Sequence, residues 1–364
     1  NGATQNQASD INRIVTELSL KFGASIVKDY DGRLCSALSP YYLGSVAPEI
    51  RDEEPDDNQI AQFYLMFGRY LGDPLFALKP TDLPNLSLKM KSNLAEVTTV
   101  GASGFVSGTQ KWSVVSMEMP DVNPVGYIKS EKIKDVSTAS SGELEVDMIM
   151  QHPVRGILLR SYEATKGLTQ GITNFKCMPW YNSIDTNLLM KMAYAFYNPD
   201  LSIGRTIYRV DDEDVETDIS YADYGAMGHQ ILHMTRGLGD TTNGVITNIE
   251  YDKYGTIKTS LTEDDGTSFD DADVRMSLSS KGMCYQASMY IPFETRPGDF
   301  RFIPSADDMP SKMYLTQGNA DQVCQVVLEE VVSYGSEKDI RVGANSDMSR
   351  LSPSIAPPRS ARRR

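Results

Sequence analysis

Histidine is nearly absent from this chain, with three residues in 364, and no segment approaches the roughly 18 uninterrupted apolar residues that a membrane-spanning helix needs. No charged segment followed by an apolar one lies at Asn1, so no secretory signal is expected. Cysteine is sparse as well. Cys35, Cys177, Cys284 and Cys324 form no CxxC pair and share no short spacing, which argues against a zinc site or a disulfide framework. They read as small buried hydrophobes of a protein that folds in a reducing cytoplasm. No GxSxG or Cys/His pattern offers a nucleophile, and no GxxxxGK[ST] or GxGxxG loop offers a phosphate cradle. The expectation is a protein that is not an enzyme and carries no cofactor. One enzymatic reading survives, glycoside hydrolysis, because its two carboxylates are brought together in space rather than in sequence.

Positive charge is scarce outside the C-terminal end. Residues 348–364 hold Arg350, Arg359, Arg362, Arg363 and Arg364 and no carboxylate, which leaves −19 on the rest of the chain (the net −14 less the tail's +5). An acidic body is a poor match for nucleic acid, whose phosphates need concentrated Lys and Arg. The prolines of the tail and its lack of periodicity predict a flexible, extended segment that could meet phosphates, anionic headgroups or an acidic neighbour. Acidic runs at 52–57, 211–218 and 263–273 read first as solvated loop tips. Within the last, Asp264, Asp265 and Asp270 are weak candidates for calcium or another cation, although the alternating ligands and terminal Glu of an EF-hand are missing. His229 and His233 have the spacing of helical metal ligands, on a weak helix expected over 226–236. Without the Glu of HExxH, two polar surface positions are the simpler reading.

Strand-like alternation dominates. Leu144, Val146, Met148 and Met150 alternate with polar residues; 11–22, 86–90, 154–162 and 171–178 are further strands, punctuated by turn residues such as Gly72-Asp73-Pro74 and Pro297-Gly298. The best helix candidate is 185–197, with Asp185 at its start and Pro199 past its end. An internal similarity organises these pieces. FYLMFGRYLGDPLFALKPTDLP (63–84) aligns without gaps on MYIPFETRPGDFRFIPSADDMP (289–310), seven of 22 positions matching, among them Phe67 with Phe293, Gly72 with Gly298 and Asp73 with Asp299. A second correspondence, Val15 to Leu18 against Ile172 to Phe175, lies in the same order. Each half then closes on an apolar strand, 112–119 and 323–332. The chain therefore reads as a duplicated β-module whose second copy carries a long insertion around 199–284. A strand of the first copy equivalent to 143–162 is expected upstream of Asn1; otherwise that module is irregular.

Three stretches, 67–92, 142–178 and 291–315, together resemble the double jelly-roll major capsid proteins of tailless icosahedral viruses. The resemblance implies an all-β fold of two tandem eight-stranded jelly-roll β-sandwiches with short helices. Its parts would be 1–122, a linker at 123–141, 142–336 with the loop insertion, and a basic tail at 337–364. It implies a structural coat protein, made in the host cytoplasm and located in the virion, that trimerises into pseudo-hexagonal capsomers. Its partners would be copies of itself, neighbouring capsomers, and penton and minor capsid proteins. The tail would reach the genome, an internal membrane or a neighbouring subunit. The rivals are a tandem β-sandwich carbohydrate-binding module, which should expose aromatic platforms, and a jelly-roll glycoside hydrolase, which should show two carboxylates roughly 5 to 10 Å apart in a cleft.

Overall fold

The computed structural model describes residues 11–47, 49–52, 60–97, 110–162, 167–178, 180–197, 202–210, 219–220, 230–238, 244–251, 257–263, 274–281, 285–300 and 303–336. Strand outweighs helix, so the class is β. In chain order the elements are β1 (Val15–Phe22), β2 (Ser25–Tyr30), α1 (Gly32–Leu43), β3 (Glu49–Asp52), β4 (Ile60–Ala61), β5 (Leu86–Ser92), β6 (Gly126–Ser137), β7 (Glu143–Asp147), β8 (Val154–Tyr162), α2 (Leu168–Gly171), β9 (Ile172–Cys177), β10 (Tyr181–Asp185) and α3 (Thr186–Tyr197). There follow β11 (Ser202–Val210), β12 (Ile219–Ser220), β13 (Gln230–Leu238), β14 (Gly244–Tyr251), β15 (Ile257–Glu263) and β16 (Val274–Lys281). The chain then returns through β17 (Ser288–Pro292), β18 (Lys312–Gln317) and β19 (Val323–Ser333).

A seven-stranded sheet runs β17-β8-β19-β6-β2-β1-β5, and a four-stranded sheet runs β10-β9-β18-β7. Period-two alternation explains how one strand serves two layers. On β19, Val326 and Leu328 point into a core shared with Val146, Phe175, Met313 and Leu315 of the four-stranded sheet. Val327 and Val331, on its other face, belong to a second core with Leu34 and Leu38 of α1. The stack is thus four-stranded sheet, seven-stranded sheet, then α1. Five-stranded (β13-β16-β11-β3-β4) and three-stranded (β12-β15-β14) sheets contain the insertion.

The two stretches expected to be related, the first and second copy, share several local features. A single helical turn precedes β1 (Ile11–Ile14) and another precedes β9 (Leu168–Gly171). In the first copy β1 pairs with β5, Leu18 opposite Met90; in the second β9 pairs with β18, Phe175 opposite Leu315. Both strands continue into an antiparallel neighbour, β2 or β10, and then into a twelve-residue helix. Each helix is capped alike: the Leu34 amide donates to Asp31 Oδ1 at 2.9 Å and the Leu188 amide to Asp185 Oδ1 at 3.1 Å. Gly72 and Gly298 both take the left-handed conformation (φ 81° and 75°), and the amides of Asp73 and Asp299 each close the turn onto the third residue back.

Three expectations are corrected. The stretch 123–141 contains β6, twelve residues long and internal to the seven-stranded sheet, where a linker was expected. Its charges are tolerated because they pair, Lys129 with Glu131 and Glu330, Lys132 with Asp135. The helix expected over 226–236 is β13 from Gln230 onward, its first four residues lying outside the described ones. Pairing with β16 along its length outweighs the weak helical pattern of a segment that carries the β-branched Ile231 and Thr235 and the helix-weakening Gly237. Residues 112–119 form no strand, because no ladder partner lies beside them among the described residues. The helix expected over 185–197 stands as α3, and β1, β5, β8 and β9 fall where alternation places them.

The shared cap generates a prediction. Asp185→Ala should cost about 1 kcal/mol, while Asp31→Ala should cost more, because Asp31 also accepts from Gln325 Nε2 at 2.8 Å. Chemical denaturation of both variants checks the order.

Candidate functional site: a buried charge cluster and two open apolar surfaces

Charges set inside apolar runs mark the first candidate. Glu329 interrupts β19 and Arg155 interrupts β8, both fully buried. One oxygen of Glu329 accepts from Ser130 Oγ at 2.7 Å and from the Tyr42 hydroxyl; the other accepts from Tyr290 Oη at 2.7 Å and from Arg155 Nη1 at 3.0 Å. Lys28 Nζ donates to Ser130 Oγ at 2.8 Å and so stands one hydroxyl away. Beyond Arg155 lies Glu294, 3.5 Å from Arg155 Nε, which accepts from Tyr197 Oη at 2.6 Å and from the Gly298 amide at 3.1 Å. The residues come from β2, α1, β6, β8, α3, β19, β17 and the turn after it, so this cluster ties both copies together.

Its electrostatics balance: Lys28 and Arg155 against Glu329 and Glu294. Burial pushes the Glu329 carboxyl up, but Arg155, Lys28 and the two tyrosine hydroxyls together outweigh it and hold it below the ordinary value. Burial wins at Glu294, whose carboxyl is raised despite Arg155. Lys28 is lowered to about 8 by burial, against the pull of Glu329. Every oxygen of Glu329 is spent on protein donors, so the cluster acts as an internal clasp. The guanidinium of Arg155 also lies over the Tyr42 ring, 4.6 Å from its centroid.

A second buried pair shapes the repeated turn. Arg69 grips Asp73 through Nε at 2.7 Å and Nη2 at 2.9 Å, while the Arg69 and Leu75 amides donate to the same carboxylate at 3.0 and 3.1 Å. The corresponding turn of the second copy packs beside it, Phe76 meeting Phe300 edge to face at 4.9 Å between centroids.

The other candidates are surfaces. Trp112, Val114, Val115 and Met117 lie exposed on the 110–119 segment, Val114 and Val115 at 76% and 91%. On α3, Leu188 and Met192, one turn apart on the same face, are 53% and 48% exposed, and Met178 and Trp180 are exposed between β9 and β10. Exposed apolar side chains clustered along one segment or one helix face make these the candidate interaction surfaces.

The residues singled out from sequence fall elsewhere. Asp264, Asp265 and Asp270 lie outside the described residues, as do Arg350, Arg359, Arg362, Arg363, Arg364 and His229. His233 sits on β13, where i, i+4 spacing is not the helical one. Among the described residues no three His, Cys, Asp or Glu side chains gather for a metal, and no helix is long and apolar enough to cross a membrane. Cys35, Cys177 and Cys324 are buried free thiols, each pushed up to about 12 chiefly by burial. Sequence reasoning passed over the clasp, although Glu329 and Glu330 inside VCQVVLEEVVS and Arg155 inside VRGILL were its signal: a charge within an apolar strand demands a buried partner. No family model, curated protein or solved structure matches this chain.

Two predictions follow from the clasp. Glu329→Gln leaves Arg155 and Lys28 buried short of counter-charge and should destabilise by about 3–5 kcal/mol, read from denaturant unfolding with unchanged m-value. Lys28 is depressed on folding, so between pH about 8 and its unfolded value of 10.5 the unfolded chain binds the extra proton. From this group, stability rises with pH across that window. Wild type should therefore gain on Lys28→Met between pH 8 and 10; a constant difference would contradict the assignment.

Proposed function

We propose that this chain is a structural coat subunit, two tandem jelly rolls that trimerise into capsomers and tile a virion shell. The observation that carries the reading is the repeated geometry: the Leu18–Met90 and Phe175–Leu315 pairings, followed in each copy by an Asp-capped helix of equal length. A second observation supports it. Strands β6 to β10 and β17 to β19 alternate between two facing four-strand sets, β17-β8-β19-β6 and β10-β9-β18-β7, a crossing pattern of the jelly-roll kind. In the first copy β1, β2 and β5 stand where β9, β10 and β18 stand in the second. The equivalent loops of the two copies, the β3–β4 stretch and the insertion, are joined by parallel pairing of β3 with β11. Placed at one end of both modules, the insertion would project from the outer surface of a shell, where it can vary without disturbing the sandwiches.

Both oxygens of Glu329 accept from protein donors, and the role proposed for the clasp is mechanical. The basic end, Arg350 and Arg359 to Arg364, would face the interior and meet genome phosphates, lipid headgroups or an acidic neighbour. Mass photometry of the purified chain tests the reading: a trimer is expected, and a monomer persisting at micromolar concentration would overturn it. Deleting residues 359–364 should leave the trimer folded while impairing particle assembly; particles that form normally, with unchanged salt dependence, would remove the tail from the account.

A further inference from the structure

The exposed face of α3 has a buried counterpart within the same chain. Aligned on their capping aspartates, α1 and α3 place Leu34 where α3 has Leu188, and Leu38 where α3 has Met192. Leu34 and Leu38 are buried against the second module, in one cluster with Ile128, Leu158, Tyr290, Val327 and Val331. Leu188 and Met192 are apolar too, yet half exposed. The receiving surface also has a counterpart. Val327 and Val331 belong to β19, the closing strand of the second copy, and the closing segment of the first copy is 112–119, whose Trp112, Val114, Val115 and Met117 are exposed. Each chain therefore joins one helix face to the closing strand β19 internally and leaves a second helix face and the non-strand closing segment 112–119 exposed.

We propose that α3 of one copy docks on the 112–119 segment of a second copy, repeating between chains the packing that α1 makes on β19 within a chain. The inference rests on the self-association part of the proposed function and names its interface. The contact is heterologous, helix face to closing segment, so it propagates from copy to copy and closes only as a ring. Because each chain supplies two modules, a three-membered ring would alternate internal and intermolecular versions of one packing around six modules. The apolar character of Leu188, Met192, Val114 and Val115 is then explained by removal of their exposed surface from water in the ring.

The test uses the full chain. Leu188→Asp/Met192→Asp alters only the helix face and Val115→Asp only the segment; both positions are exposed in the single chain, so each variant should fold with wild-type thermal stability as a monomer. Sedimentation should show the trimer of wild type lost in both, with association weakened by on the order of a hundredfold or more for a charge placed in an apolar contact. Mixing the two variants should restore one interface and give a one-to-one heterodimer, because the first retains its segment and the second its helix. Trimers formed by either variant alone would overturn the inference and leave the coat reading standing, as would a mixture that stays monomeric. A monomeric wild type would overturn both.

Discussion

Glu329 is the group on which the rest of the structure depends. A carboxylate with no access to water is tolerated only if its charge and all its lone pairs are answered, and here the answers come from Ser130, Tyr42, Tyr290 and Arg155, with Lys28 behind Ser130. Those partners lie on elements separated by up to about 300 residues of chain, so the clasp can form only when both halves are in register. Removing it would not merely cost an ion pair. It would leave β2 and α1 held to the second half by apolar packing, the short β2–β6 ladder and a few peripheral hydrogen bonds such as Gln325 to Asp31, which specify position less sharply than the full network does.

The clasp also sets what the shared sheet can do. The seven-stranded sheet joins the two copies through the parallel pairing of β2 with β6, a short ladder of two residue pairs. Such a junction is weak as hydrogen bonding, and the packing of α1 over β8, β17 and β19 supports it. The result is a chain in which one copy is docked on the other through a helix, with a matching helix and a matching closing segment still open.

Periodicity made much of this readable. Alternation located β1, β5, β8 and β9, and the spacing of turn residues exposed the repeat that the paired turns at Gly72 and Gly298 now embody. The helix over 185–197 was legible because a capping Asp and a downstream Pro bracket an apolar pattern. The misreadings share a cause. β6 fell in the stretch expected to link two modules, and the β19 partner of its Lys129 lies some 200 residues away. β13 looked like a helix because its preference is weak and a neighbouring strand decided it.

By itself the sequence determined the β class and the uneven charge and offered an internal similarity between 63–84 and 289–310, all of which rest on local pattern or on counting. Only tertiary structure decided that Glu329, Arg155, Lys28 and Glu294 meet, that Leu34 and Leu38 of α1 are covered while Leu188 and Met192 of α3 stay half exposed, and that a charged stretch becomes an internal strand. Those outcomes depend on which distant surfaces come together, and burial reverses the meaning of a residue: a lysine in water is a solvated charge, while Lys28 between two sheet strands and a helix is a partner that must be matched.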